Sequence, residues 1–93
     1  MGRYYPGSGV RLMMEFRNLA GVLTNPSTVT VQHENPAGAK DSLTPVNDSD
    51  GVYHADYTFV AADAEGTGRN EFEVVATGAV VDADKFRVQV LPL

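Results

Sequence analysis

Two histidines, twelve carboxylates and no cysteine make up the reactive inventory of this 93-residue chain. Without cysteine there is no thiolate nucleophile, no thiolate metal site and no disulfide framework, so the fold must stand on packing alone. His33 and His54 are the natural candidates for an acid, a base or a metal ligand. Their positions separate them. His33 follows Val29 and Val31 on the core-facing side of an extended segment, whereas His54 takes the opposite side of another and faces solvent beside Asp56. Glu71 and Glu73 leave one segment on the same side, about 7 Å apart by strand rise, a separation that glycosidases use. That side is the wet one, where a carboxylate cannot hold a proton at neutral pH. Asp48 with Asp50, and Asp82 with Asp84, offer oxygens to calcium but lack the glycine and distal glutamate of an EF-hand. Gly7-Ser8-Gly9 lacks the outer frame of a hydrolase elbow, and Gly66-Thr67-Gly68 is followed by Glu71 where a dinucleotide loop needs its third glycine. The residues therefore predict no catalytic group, no metal ligand and no cofactor: the chain reads as not an enzyme.

The elements that carry these residues follow from a two-residue repeat. Val10, Leu12, Met14 and Phe16 alternate with Arg11, Met13, Glu15 and Arg17, as a half-buried strand requires. The repeat recurs through Val29, Val31 and His33, through Tyr53, Ala55, Tyr57 and Phe59, through Phe72, Val74 and Ala76, and through Phe86, Val88 and Val90. A weaker strand is expected over Asp41–Val46. No window keeps helical spacing free of Gly or Pro, so no helix longer than a turn is expected. Asn35-Pro36-Ala37-Gly38 has the residue preferences of a type I turn and predicts a tight hairpin. Asn47 to Gly51 reads as a polar loop, and Ala62 to Asn70, with Gly66 and Gly68, as the most mobile connection. Six or seven short strands cannot bury their apolar faces in one flat sheet, whereas two sheets about 10 Å apart can. The expected fold is all-β: an immunoglobulin-like antiparallel β-sandwich of six to seven strands forming a single domain over residues 1–93, with a small barrel as the alternative.

Seven basic residues against twelve acidic ones give a formal charge of −5, and the basic residues are scattered singly. Nucleic acid is not an expected partner, because a phosphate backbone needs a clustered positive footprint. Nor is a membrane, since no apolar run exceeds four residues. Met1 to Gly9 carries one charge, Arg3, and then Tyr4, Tyr5, Pro6 and Gly7 instead of an apolar run, so no signal peptide is expected and the product should stay in the cytosol. The apolar residues without an obvious core role lie at the ends: Tyr4-Tyr5-Pro6 and Leu91-Pro92-Leu93. Two readings stand beside each other. Tyr4, Tyr5, Leu91 and Leu93 form a docking interface, or they extend edge strands and cap the open ends of the sandwich.

Several runs resemble one family. Tyr5-Pro6-Gly7 ahead of an alternating strand, Asn25-Pro26-Ser27-Thr28-Val29, Asn35-Pro36-Ala37-Gly38, Gly51-Val52-Tyr53, Phe72-Glu73-Val74 and a closing Phe86-Arg87-Val88 together resemble the small immunoglobulin-like structural proteins of tailed bacteriophage virions. The likeness spans nearly the whole chain, and Phe72 stands where many relatives have tryptophan. In that family the pattern marks strand ends, not a catalytic site. The resemblance implies a non-enzymatic virion protein that serves as a head decoration, a head fibre or part of the head-tail neck. It would be assembled in the host cytoplasm and bound in symmetric multicopy fashion to other virion proteins such as capsid, portal or tail. The alternative is a glycan-binding or adhesion module on a particle or cell surface, with a host glycan as partner and Tyr4 and Tyr5 as stacking platforms. On the predicted parity, Phe86→Ala or Tyr57→Ala should cost about 3–5 kcal/mol.

Overall fold

The computed structural model describes residues 3–78 and 80–92. Eight strands follow in chain order: β1 (Arg3–Tyr4), β2 (Gly9–Glu15), β3 (Thr28–Glu34), β4 (Lys40–Leu43), β5 (Val46–Ser49), β6 (Val52–Thr58), β7 (Arg69–Thr77) and β8 (Asp82–Val90). They form a five-stranded sheet in the order β1-β8-β7-β3-β4 and a three-stranded sheet in the order β2-β6-β5. All pairs are antiparallel except β1 with β8. This is the expected β-sandwich, with eight strands where six or seven were expected, and the one helical element among the described residues is a 3-10 turn, Ala61–Ala64.

Strand alternation builds the core. In β2, Leu12 and Met14 are buried while Arg11, Met13 and Glu15 are exposed; in β7, Asn70, Phe72, Val74 and Ala76 turn inward and Glu71 and Glu73 outward. Val31, Ala55, Phe59 and Val90 close the interior from the neighbouring strands. The Asn35–Gly38 hairpin joins β3 to β4 as expected. Gly38 donates its N–H to the Asn35 carbonyl at 3.0 Å, and Asn35 Oδ1 accepts from the N–H groups of Ala37 and Ala39. An asparagine side chain that mimics a backbone turn is what makes this residue a turn former.

Four expectations need correction or refinement. The single weak strand over Asp41–Val46 is two strands in different sheets: β4 ends at Leu43 and β5 begins at Val46. Pro45, which has no N–H, lies in the crossing between them. The polar loop over Asn47–Gly51 is mostly strand, and the reversal is confined to Asp50-Gly51. There Gly51 has a φ of 73°, and a Cβ would meet Phe16 O at 2.7 Å. The connection from Ala62 to Asn70 is anchored by Asp63, which is 1% exposed. Phe86, assigned to the core, is 38% exposed. Its strand parity is right, since it pairs with buried Phe72 and stacks on that ring at 5.3 Å. What is missing is cover: β2 is the last strand of its sheet, and none of the described strands lies beyond it over the first half of β8.

Candidate functional site

The residues that could do chemistry separate into a sealed interior cluster, a charge-balanced outer face and an open seam. In the cluster, β3 supplies His33, β6 supplies Tyr57, the 3-10 turn supplies Asp63 and β7 supplies Asn70. His33 Nε2 lies 2.7 Å from Asn70 Oδ1 and 3.9 Å from Asp63 Oδ1. Asp63 Oδ2 accepts hydrogen bonds from the Tyr57 hydroxyl at 2.6 Å and the Val60 N–H at 2.9 Å. Asn70 Nδ2 donates to the carbonyls of Asp63 and Gly68 at 2.8 and 3.1 Å. The Tyr57 ring lies on the His33 ring, with centroids 4.1 Å apart. Burial first, then the hydrogen bond and charge of Asp63, push the Tyr57 hydroxyl well above its ordinary pKa.

A tyrosine, an aspartate and a histidine in contact suggest proton transfer, but His33, Asp63 and Asn70 are at most 1% exposed. Four well-formed grooves open on the surface, and none of these is lined by any of the four residues. A reacting group must come within hydrogen-bond reach of an acid or base, and His33, Asp63 and Asn70 are buried too deeply for that, with only Tyr57 half-buried. The cluster's hydrogen bonds tie the 3-10 turn to three strands, while His33 Nδ1 is buried without a partner among the described residues.

Sequence reasoning placed His33 correctly in the interior and missed its partners. One signal was available: Asp63 stands three residues after Val60 within an otherwise apolar run, Phe59 to Ala64, the spacing at which a carboxylate caps the N–H that opens a turn. His54 lies on the outer face of the three-stranded sheet, as expected. Its Nδ1 is 2.7 Å from Asp48 Oδ2, and Asp56 is instead held by Arg11 at 2.7 and 2.9 Å. That hydrogen bond is the main cause holding the Asp56 carboxyl below its ordinary pKa and the guanidinium above its own. Glu71 and Glu73 are outward as expected and bound to Lys85 and Arg87 at 3.1 to 3.8 Å. Among the described residues no group of three or more His, Asp or Glu side chains is arranged to hold a metal ion. No helix among them is long and apolar enough to cross a membrane.

The terminal residues lie together along one edge. Tyr4 is half-buried, with its ring against Phe59 at 5.1 Å, and its carbonyl accepts the Leu91 N–H at 2.8 Å. Tyr5 is 45% exposed and Leu91 is half-buried; Leu93 lies outside the described residues.

The open seam runs between β2 and β8 as a groove of about 380 Å³. Its walls include Leu12, Met14 and Phe16 of the β2 segment; Val74, Phe86, Asp84 and Asp82 line the opposite side. Those last three are register partners of Phe72, Val74 and Ala76, all buried, so their side chains share the inner face of the sheet. Backbone groups also face the seam. Phe16 donates its N–H to Gly51 O at 2.7 Å and Phe59 donates to Ser8 O at 2.9 Å, with an unbroken register between. Antiparallel pairing alternates, so Val10, Leu12 and Met14 spend their backbone groups on β6, while Arg11, Met13 and Glu15 point theirs away from it.

Two sheets in this order, with a short first strand parallel to the last, define an immunoglobulin-like domain. The chain is similar to two solved structures that share this fold. Over 95% of its length it matches the Lin-41 filamin domain, with a TM-score of 0.71 and 14% identity across 81% of that chain. It also matches a DUF4785 family protein from Legionella pneumophila, with a TM-score of 0.63 and 15% identity over 97% of this chain but 26% of that one. No protein-family model and no curated protein matches the sequence.

Proposed function

We propose that this domain is a non-enzymatic protein-interaction module and, more finely, a structural component of a tailed-phage virion that docks on a capsid, portal or tail protein. One observation carries the first part: the cluster that brings a tyrosine, an aspartate and a histidine together lies in the core, the other histidine–aspartate pair, His54 with Asp48, lies on an open sheet face, and the accessible concavities run along sheet edges and charged faces. The immunoglobulin-like fold supports the same reading, since such sandwiches present edges and end loops to partners. The finer part rests on the sequence resemblance. Tyr5, exposed after β1, Leu91, whose N–H is held by the Tyr4 carbonyl, and Leu93 are the side chains proposed to anchor the domain, while the Tyr4 ring packs against Phe59.

The test is incorporation. A chain lacking Leu91 to Leu93, and separately Tyr5→Ala, should fail to join assembled particles while melting close to the parent temperature. An equal loss of thermal stability would assign these residues to the fold, and full incorporation of both variants would remove the docking role. A glycan array probed with the same domain tests the adhesion alternative, which depends on Tyr5 as the exposed ring of the pair.

A further inference from the structure

We propose that the seam between β2 and β8 receives one extended, basic peptide segment of another protein, which adds as a strand beside β2. This rests on the reading of the domain as an interaction module and adds to it an edge and a ligand chemistry.

The edges of the two sheets are not equivalent. β1 has two residues, β4 has four, and β5 has four with an irregular register between Asn47 and Ser49; on the first half of β8, which β1 does not reach, the Ala83 and Lys85 N–H groups are already accepted by Asp82 Oδ1 and Asp84 Oδ1 at 2.9 Å, so each is a poor template. β2 has seven residues in unbroken register and no proline. Its outer side offers the N–H and C=O groups of Arg11, Met13 and Glu15, which an added strand can pair with in one continuous ladder. Beneath that position lies the groove, so the added strand would also have somewhere to put its inward side chains. Exposed Met13 on the outer face and Phe86 within the seam provide apolar contact on both sides of it.

The floor selects the occupant. Phe86, Asp84 and Asp82 follow one another at two-residue spacing on one face, which is also the spacing of inward side chains on a strand. A complementary segment therefore reads apolar, basic, basic at alternate positions. The two carboxylates have no cation partner among the described residues. Lys85 and Arg87 point to the opposite face and bind Glu71 and Glu73, and Arg11 is held by Asp56. A second copy of this chain fits less well. Joining β2 to β2 would bring two further carboxylates, the other copy's Asp82 and Asp84, to the same seam, where like charges repel.

The probe is a capped seven-residue peptide of threonines alternating with leucine, lysine and lysine, titrated into isotope-labelled full chain and followed by amide NMR. The signals of Arg11, Met13 and Glu15 should shift saturably and their hydrogen exchange should slow at least tenfold, with the β4 and β5 amides unmoved. Changing Asp82→Lys together with Asp84→Lys should weaken binding at least tenfold. Met13→Pro should abolish it, because proline there removes an N–H that β6 does not use. If Met13→Pro does not fold, the Asp82 and Asp84 variant decides alone. Three results would overturn the proposal: no shift at Arg11, Met13 and Glu15 at millimolar peptide, equal binding of a peptide with glutamate in place of lysine, or a peptide-free dimer formed through β2. None of these variants touches Tyr5 or Leu91, so failure here leaves the terminal docking test standing, and the reverse holds as well.

Discussion

The sealed side of the sandwich and its open seam are built from the same alternating pattern and reach opposite states. Phe72 and Phe86 are register partners that stack on one another, yet Phe72 is fully buried and Phe86 is 38% exposed. Around Phe72 the interior is completed by Tyr57, Phe59 and His33, and by a 3-10 turn pinned through Asp63. Over Phe86 the three-stranded sheet has already ended. Parity decides which way a side chain points; whether it meets anything there is decided by the strand count of the opposite sheet.

That contrast can be broken or sharpened by experiment. Phe72→Ala should cost about 3–5 kcal/mol, enough to unfold much of a domain this small, measured as a shift of the urea midpoint. A smaller loss would mean the sealed side is less closely packed than its contacts imply. Asp63→Ala should cost about 2–3 kcal/mol, because the Tyr57 hydroxyl and the Val60 N–H lose their acceptor inside the protein.

Tyr57→Phe tests the same cluster through pH. The Tyr57 hydroxyl is raised above its ordinary value of 10.0 by burial and by Asp63, so the folded chain holds this proton where the unfolded chain releases it. The resulting stability is complete below pH 10 and is lost as pH rises through the folded value. Wild type should therefore weaken above that pH more steeply than Tyr57→Phe, which at neutral pH costs about 1 kcal/mol for the lost hydrogen bond. Parallel alkaline decline of the two would show that the hydroxyl is open to water.

On the seam side, Phe86→Ala should cost only about 1 kcal/mol, well under the range that its parity alone predicts, because much of the ring is already wet. A cost near that of Phe72→Ala would show that the seam is covered in solution. Arg11→Gln should barely move the urea midpoint, since the pair with Asp56 is exposed to solvent.

These contrasts also mark what the sequence made legible. The two-sheet architecture, the Asn35–Gly38 hairpin, the inward His33 and the outward Glu71 and Glu73 follow from local rules: side-chain period, turn chemistry and charge. The misses lay in how one element meets the next. Sheet membership of β4 and β5 depends on a crossing at Thr44-Pro45 that no periodicity records. Asp63 reads as a loop carboxylate until Tyr57, six residues earlier, is seen to donate to it. The seam had a signal of its own. Asp82 and Asp84 share the parity of Phe86, Val88 and Val90, and acids on a core-facing register imply that this stretch of the face is not enclosed.

The pairing of β1 with β8 has a mechanical consequence. The two strands run in the same direction, with Arg3 beside Gln89 and Tyr4 beside Val90, and the Leu91 N–H is held by the Tyr4 carbonyl. Tension applied through the flanking chain at either end pulls such strands past one another, so their hydrogen bonds are loaded together instead of parting one at a time. Short as it is, this strap would resist traction in shear, and its rupture would release Tyr4 from Phe59 before the two sheets came apart.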